Sequence, residues 1–265
     1  MHKLIWRAPL AAALMALGLY SPATSALAAS GTALGVNPSA AAETKAETRS
    51  LVVGSDVFIG DRVVTGPEGQ VQIQFSDMTR LVVGPNSALL IEDYLLRDDK
   101  SAGKFAINAL SGTFRFATGR APKNQYVITT PTGTIGVRGT EFDFNVTPDQ
   151  TRVLLYNGAV LLCNPDQSCV TVDDSCELGQ ADLGQSQVLG NTDEMDKKQR
   201  DDVKSDFMYA VSQAPLLGRF RFEEAKQCFQ KGFVSNVPES LVKSEAKPAP
   251  PVECPEEYYY YCYPD

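Results

Sequence analysis

The stretch Tyr126–Phe144, YVITTPTGTIGVRGTEFDF, decides the fold class of this chain. It begins with β-branched and aromatic residues, breaks at residues 130–133 (TPTG), resumes at Thr134 and ends in the alternating Phe142 and Phe144. Proline cannot donate to a strand ladder, and glycine marks sharp turns or close backbone approach. The stretch therefore predicts two or three short strands folded tightly back on one another.

The chain on either side repeats this pattern of short strands and turns. Gln70–Phe75 (QVQIQF) alternates strictly, which predicts a half-buried strand whose three glutamines face water. The pair Asn157-Gly158, between two apolar runs, predicts a hairpin turn. Over residues 51–190 we expect an all-β domain of about a dozen short strands, arranged as a sandwich, a barrel or a solenoid-like coil.

The N-terminal residues indicate export. Lys3 and Arg7, an apolar run over residues 8–20 and the small residues at 26–28 predict a secretory signal peptide over residues 1–28, with an uncleaved anchor as the alternative. Residues 29–50 are rich in Ala, Ser, Thr and Glu without periodicity, which predicts a flexible leader.

The C-terminal third changes in composition. Residues 191–233 predict two short helices that pack against the β-domain. The first is expected to be capped by Asn191 or Thr192 and ended by Pro215, and the second covers 223–231 and ends at Gly232. Residues 234–265 are rich in proline and tyrosine, including four consecutive tyrosines at 258–261, and predict a disordered tail.

The composition of the mature chain excludes several function classes. Signal cleavage removes His2, the single histidine, and with it Ser-His-Asp and Cys-His nucleophilic sites and His-ligated metal centres. Without Lys3 and Arg7 the chain has 22 basic and 32 acidic residues, a formal net charge of −10. That charge, without any basic run, argues against binding to nucleic acid or anionic lipid. We predict no catalytic, cofactor-binding or metal-binding residue, no transmembrane segment after signal cleavage, and no particular small-molecule ligand.

Six cysteines remain in the second half of the chain. An even number in an exported chain predicts disulfides, and the spacing contains no C-x2-C metal motif. Cys163 and Cys169 flank a predicted hairpin tip and are expected to pair, while the pairing of the other four stays open. The disulfide candidates are Cys163, Cys169, Cys176, Cys228, Cys254 and Cys262.

Several short motifs recur in a recognisable order. They are GDRVVTG at residues 60–66, Asp77-x-Thr79, and VRGT at residues 137–140. This order resembles the FecR domain, the extracytoplasmic sensing module of iron-uptake regulators, from about residue 51 to residue 163. The resemblance implies a β-rich domain that binds protein partners. In those regulators a cytoplasmic anti-sigma segment and a spanning helix come first, whereas a signal peptide is predicted at that place in this chain.

The family-motif residues are expected to serve the fold. They are Gly60, Asp61, Gly66, Arg138, Gly139 and Thr140. A charge among apolar residues is unfavourable unless it is paired, so we expect Arg138 to form an ion pair with Glu141, Asp143 or Asp77 and to fix the strand register. The alternative is that Arg138 faces a binding partner.

Three functions are compatible with the sequence. The first is a non-enzymatic exported protein that binds a protein partner in the periplasm or at the cell surface. The second is a soluble envelope sensor that acts with a membrane or sigma-factor partner. The third is a carboxylate-dependent hydrolase of envelope polysaccharide, for which no carboxylate pair is marked.

Overall fold

The computed structural model describes residues 28–96, 102–120 and 126–229. The predicted signal peptide, apart from Ala28, and the predicted tail lie outside these residues. Within them the chain forms fifteen strands: β1 (Gly31–Asn37), β2 (Ala40–Glu43), β3 (Thr48–Leu51), β4 (Asp56–Val57), β5 (Arg62–Val64), β6 (Gln70–Phe75), β7 (Arg80–Val83), β8 (Ala88–Leu96), β9 (Ala102–Ala117), β10 (Tyr126–Thr130), β11 (Gly133–Val146), β12 (Gln150–Cys163), β13 (Cys169–Val172), β14 (Glu177–Asp182) and β15 (Ser186–Asn191). The all-β prediction is confirmed.

All the strands belong to one hydrogen-bonded sheet that folds over itself. One part, here called the covered half, has the order β4-β1-β6-β7-β9-β11-β12-β14-β15. The other part, the open half, has the order β3-β2-β5-β8-β9-β10-β11-β12-β13. The three longest strands, β9, β11 and β12, run through both halves. The opening stretch of the sequence forms β10 and β11, which pair as a tight antiparallel hairpin, as predicted.

The strands that run through both halves bend at glycines. Arg138 pairs with Ala159 and Glu141 with Asn157, so Gly139 and Thr140 share the space opposite Gly158. Gly139 and Gly158 both have positive φ, the conformation that glycine adopts at a β-bulge. The predicted Asn157-Gly158 hairpin turn is therefore wrong. The dipeptide lies within β12, because the positive φ that suits a hairpin turn also suits a bulge.

The inner faces of the two halves enclose one core. Phe75 on β6 and Phe105 on β9 do not belong to paired strands, yet their ring centroids lie 4.8 Å apart in an edge-to-face contact. Phe116 and Tyr126 extend this aromatic cluster. Full burial of a side chain of this size contributes roughly 1.5–3 kcal/mol. Packing of rings from opposite halves therefore holds the folded-over sheet together.

The flexible leader predicted over residues 29–50 is wrong, because this segment forms β1, β2 and β3. β1 pairs with β6, and β2 pairs with β5. Ala33, Ala40 and Ala42 point inwards and are buried in the core. Their register partners in the core are aliphatic: Ala33 pairs with Ile73, Ala40 with Leu51 and Ala42 with Val63.

Residues 192–229, here called the strap, cross the outer face of the covered half. They contain α1 (Lys197–Lys204), α2 (Met208–Val211) and two 3-10 turns, Gly218–Phe220 and Glu224–Lys226. The predicted cap is wrong, since Asn191 ends β15 and Asp196 caps α1 through a capping box with Gln199. The first predicted helix is broken between α1 and α2. The second is a single 3-10 turn within the described residues.

Candidate binding surface

The family-motif residues near Gly60 stabilise two turns. Asp61 is buried, accepts a hydrogen bond from the Phe58 amide at 3.0 Å and forms an ion pair with Arg49 at 2.6 Å. Gly60 has a φ of +90° inside the turn that Asp61 closes. The carbonyl of Gly66 accepts backbone hydrogen bonds from Gly69 and Asn86. All these contacts lie within the domain and define the turns that flank β5.

The ion pair expected for Arg138 is wrong. Arg138 is exposed, and across the described residues it has no ion-pair partner. Glu141 pairs with Arg80 at 2.8 Å, and Asp143 pairs with Arg115. The third expected partner, Asp77, is buried and accepts hydrogen bonds from hydroxyl groups. Arg138 therefore presents its charge at the surface of the open half.

Asp77 is held by neutral hydroxyl groups. The Tyr126 hydroxyl donates to it at 2.7 Å, as does the Thr79 hydroxyl, and the Tyr94 hydroxyl lies 3.4 Å away. Burial, followed by the negative charge of Asp77, raises the pKa of Tyr94 above its ordinary value. The carboxylate is fully buried, so this cluster fixes the turn between β6 and β7 and is closed to substrate.

The outer face of the open half is not covered by the strap. Strand register places Ala106, Val127, Gly136, Leu161 and Thr171 in one row across β9, β10, β11, β12 and β13. Val127 is 38% exposed and Leu161 is 42% exposed. Gly136 lies between them without a side chain. We call this row, with Arg138, the open face.

Charged groups lie beside the open face. Asp93 shares the row through its pairing with Ala106 and forms an ion pair with Lys104 at 2.9 Å. Arg138 lies two residues beyond Gly136 on the same side of β11 and has no such partner among the described residues. The open face is therefore a short row of small and apolar side chains flanked by two cations, Arg138 and the ion-paired Lys104.

The disulfide of the open half lies on the next row. Cys163 and Cys169 face each other across β12 and β13 and are bonded, as the sequence predicts. A second disulfide joins Cys176, just before β14, to Cys228 at the end of the strap. Cys254 and Cys262 lie outside the described residues. Disulfides persist in oxidising compartments, which fits an exported chain.

A family model described as FecR protein matches residues 61–161. Residues 61–161 form a FecR domain. The match begins just before β5 and ends near the end of β12, so the FecR domain contains most of the open face and the strands that join the two halves. The strands β1, β2 and β3, and the strap, lie outside the matched residues.

Two crystal structures of a candidate anti-sigma factor from Parabacteroides distasonis, at 1.65 and 2.50 Å resolution, are similar to this chain. Each shows 12% sequence identity and a TM-score of 0.40, and the similarity covers 49% of this chain and 59% of the other. The chain thus spans about three-fifths of the length of those proteins. A search of curated proteins gives no match.

A buried ion pair lies between the FecR domain and the strap. Arg115 on β9 and Asp143 on β11 form two hydrogen bonds of 2.6 and 2.9 Å, and both side chains are at most 1% exposed. The Tyr156 hydroxyl donates to Asp143 at 2.6 Å. Arg115 also donates to the Gln213 side chain and lies over the ring of Phe222, 4.6 Å from its centroid.

The surroundings of this pair raise the pKa of both Arg115 and Tyr156. Burial lowers the pKa of Arg115, but the negative charge of Asp143 and the hydrogen bonds to Asp143 and Tyr156 together outweigh this and raise it above its ordinary value. Burial, followed by the Asp143 charge, raises the pKa of Tyr156. This network is not predicted from the sequence, because the alternation around Arg115 indicates only that the side chain points away from the core.

The glutamines of β6 are the second feature that the sequence analysis missed. The alternation correctly places them on the outer side of the sheet, but Gln70 and Gln72 are buried beneath the strap. The Tyr209 hydroxyl donates to Gln70 at 2.7 Å, and Arg219 donates to Gln74 at 2.9 Å. The predicted water-facing side of β6 is thus a polar contact surface.

The described ranges 28–96, 102–120 and 126–229 contain neither a metal-binding cluster nor a helix that could span a membrane. There, no group of three or more His, Cys, Asp and Glu side chains is arranged to hold a metal ion. Over those ranges, too, every helix is shorter or more polar than a membrane span requires.

Proposed function

We propose that this chain is an exported, non-enzymatic protein whose FecR domain binds a protein partner through the open face, in the periplasm or at the cell surface. FecR domains form a regulatory, non-enzymatic family, so the match at residues 61–161 supports a signal-sensing regulatory role. The disulfides support an oxidising compartment.

One observation carries the assignment of the open face. The outer side of the covered half is closed by the strap, whereas the open half leaves Val127 and Leu161 exposed in one row, with Arg138 unpaired among the described residues. Isolated exposed apolar residues are ordinary, but two aligned in one row across an uncovered sheet face, beside a charge, favour an interaction surface. Aliphatic contacts and an arginine together favour a partner with an apolar patch and a carboxylate.

Site-specific crosslinking in cells tests this proposal. A photoreactive amino acid at position 161 should form a discrete crosslinked product with an envelope protein, and Arg138→Glu should weaken that product. Position 183 provides the matched control, because Leu183 is equally apolar and 61% exposed but lies outside the open face, beyond β14. Equal crosslinking from positions 161 and 183, or none from 161, would contradict the proposal.

A sensor that acts with a sigma-factor or membrane partner is the second candidate function, and the FecR match favours it. A deletion strain should then show an altered transcript profile under envelope or iron stress. An unchanged transcript profile would contradict the sensor function and leave partner binding as the proposed function.

A further inference from the structure

The covered half contacts the backbone of the strap through side-chain hydrogen bonds, as peptide-binding proteins contact their ligands. The side-chain amide of Gln72 donates to the Pro215 carbonyl at 3.3 Å and accepts from the Leu217 amide at 2.8 Å. Gln70 donates to the same carbonyl at 3.4 Å. The side chains of β6, which is paired with β1 and β7 on its two edges, thus bind the backbone of the strap across the outer face of the sheet.

Apolar side chains of the strap provide anchors at a fixed spacing. Leu216 and Phe220 are buried against Val82 and Tyr209, and Phe222 is buried under the Arg115 guanidinium. Leu217, Gly218 and Arg219 between them are exposed. Buried anchors that alternate with exposed residues are the usual arrangement by which a groove selects a peptide sequence.

Hydrogen bonds within the strap close residues 213–222 into a loop. The Gln213 side chain accepts from the Phe222 amide and donates to the Phe222 carbonyl, both at 2.7 Å. Arg115 of the FecR domain donates to the same Gln213 oxygen at 2.5 Å. Residues 213–222 therefore form a compact, ten-residue ligand with its own internal hydrogen bonds.

The groove floor is polar, unlike most permanent interfaces. Beside the apolar Val82, it presents five polar or charged side chains, all within the residues matched by the FecR model: Gln70, Gln72, Gln74, Arg80 and Arg115. Permanent interfaces are mostly apolar, whereas surfaces that are uncovered at times must tolerate water. The polar floor points to a cover that can be exchanged.

We propose that this floor is a peptide-binding groove, which residues 213–222 occupy in the same chain and which a partner protein can occupy instead. The partner peptide would carry apolar side chains at positions i, i+4 and i+6, matching Leu216, Phe220 and Phe222. This site lies on the opposite half of the sheet from the open face, so it does not depend on the function proposed above.

Because the strap is attached at both ends, we expect a free peptide to displace it only weakly. The strap is joined to β15 by the chain and to Cys176 by the Cys228 disulfide. Tethering at both ends gives residues 213–222 an effective concentration in the millimolar range, so a free peptide competes poorly. An experiment must therefore release the strap first.

A cleavable version of the full chain permits this release. A protease site inserted between Asp193 and Glu194, which are both exposed, allows the chain to be cut, and dithiothreitol then reduces the disulfide. A fluorescent peptide of residues 213–222 (QAPLLGRFRF) is added, and its polarisation is measured. We expect binding only to the protein that is both cut and reduced and from which the strap has been removed. Cut, oxidised protein and uncut, reduced protein are the controls.

Peptide and protein variants test the specificity of the groove. A probe with Leu216→Asp should bind at least tenfold more weakly, whereas a probe with Leu217→Ala, at an exposed position, should bind as the original does. Gln72→Ala in the protein should also weaken binding about tenfold, because it removes the hydrogen bonds to Pro215 and Leu217. Equal binding of the two variant probes would overturn the proposal.

A second variant covers the case in which the cut, reduced protein unfolds. In the uncut, oxidised chain, Leu216→Asp weakens the strap's own anchor, so this variant should bind the original probe while the wild-type chain does not. Failure of both proteins to bind would overturn the proposal. A dimer that exchanges straps between two copies would also overturn it, because the natural occupant would then be a second copy of this chain.

Discussion

The substitution Asp143→Asn is the most direct test of the buried ion pair. It removes the negative charge that faces Arg115, whose side chain is 1% exposed. Removing one partner of a buried pair typically destabilises a protein by about 3–5 kcal/mol, because the remaining charge stays desolvated. We expect a loss in this range, since Asp143 also accepts the hydrogen bond from Tyr156.

The control is Asp206→Asn. Asp206 also pairs with an arginine, Arg152, at 2.7 Å, but both side chains are 22% exposed. A solvent-exposed pair contributes only about 0–1 kcal/mol. Both pairs belong to the region where the strap meets the sheet, so the two variants differ mainly in burial.

Urea denaturation at neutral pH, followed by circular dichroism, measures both variants. With a urea dependence of about 2 kcal/mol per molar, Asp143→Asn should lower the midpoint by about 2 M and Asp206→Asn by less than about 0.5 M. The double variant Arg115→Met with Asp143→Leu should recover much of the loss, because no charge is left buried. Equal midpoints for the two single variants would refute the assigned desolvation of Arg115.

Three further predictions follow from local geometry. Gly158→Ala should destabilise the protein by about 2 kcal/mol or more, because φ is +90° there and a Cβ atom would lie 2.2 Å from a backbone oxygen. Gly136→Ala is the control, because its Cβ atom would make only ordinary contacts. In the same urea assay its stability should stay within about 0.5 kcal/mol of wild type. Burial and a nearby carboxylate raise the pKa of Tyr156. The stability that this shift contributes is therefore present below about pH 10 and is lost as the pH rises through the folded-state pKa. Tyr156→Phe should lose less stability than wild type between about pH 9 and about pH 11, and an identical loss would contradict this. Alkylation of the denatured, unreduced exported protein should label none of the six cysteines, and two or more labelled thiols would refute full pairing.

The sequence predicts well those features that depend on neighbouring residues. The alternation in Gln70–Phe75 gives the correct strand and the correct inward side, because both depend only on a two-residue period. The turn at Thr130–Gly133 and the disulfide between Cys163 and Cys169 are likewise local. These features suffice to identify the all-β class.

The features that the sequence analysis missed depend on residues far apart in the chain. The strands β1 and β2 bury alanines, which give almost no periodic hydrophobic signal, and they pair with residues of β6 and β5 that lie 19 to 44 positions further on. The partners of Gln70 and Gln72 lie about 145 residues away in the strap. Arg138 was expected to pair with Glu141 or Asp143, but the partners of those carboxylates, Arg80 and Arg115, come from other strands.

The three strands shared by both halves determine how the molecule opens. β9, β11 and β12 each carry hydrogen bonds to the open half at one end and to the covered half at the other. Opening either half completely would break the hydrogen bonds of these shared strands, so their central amides should exchange with the largest opening free energy in the sheet, and edge strands such as β4 and β3 with smaller ones. The strap is held mainly by side chains and one disulfide, and its amides should exchange through a separate, lower-energy opening. We therefore expect a cooperative centre built on three strands, with the strap and the edge strands opening more easily.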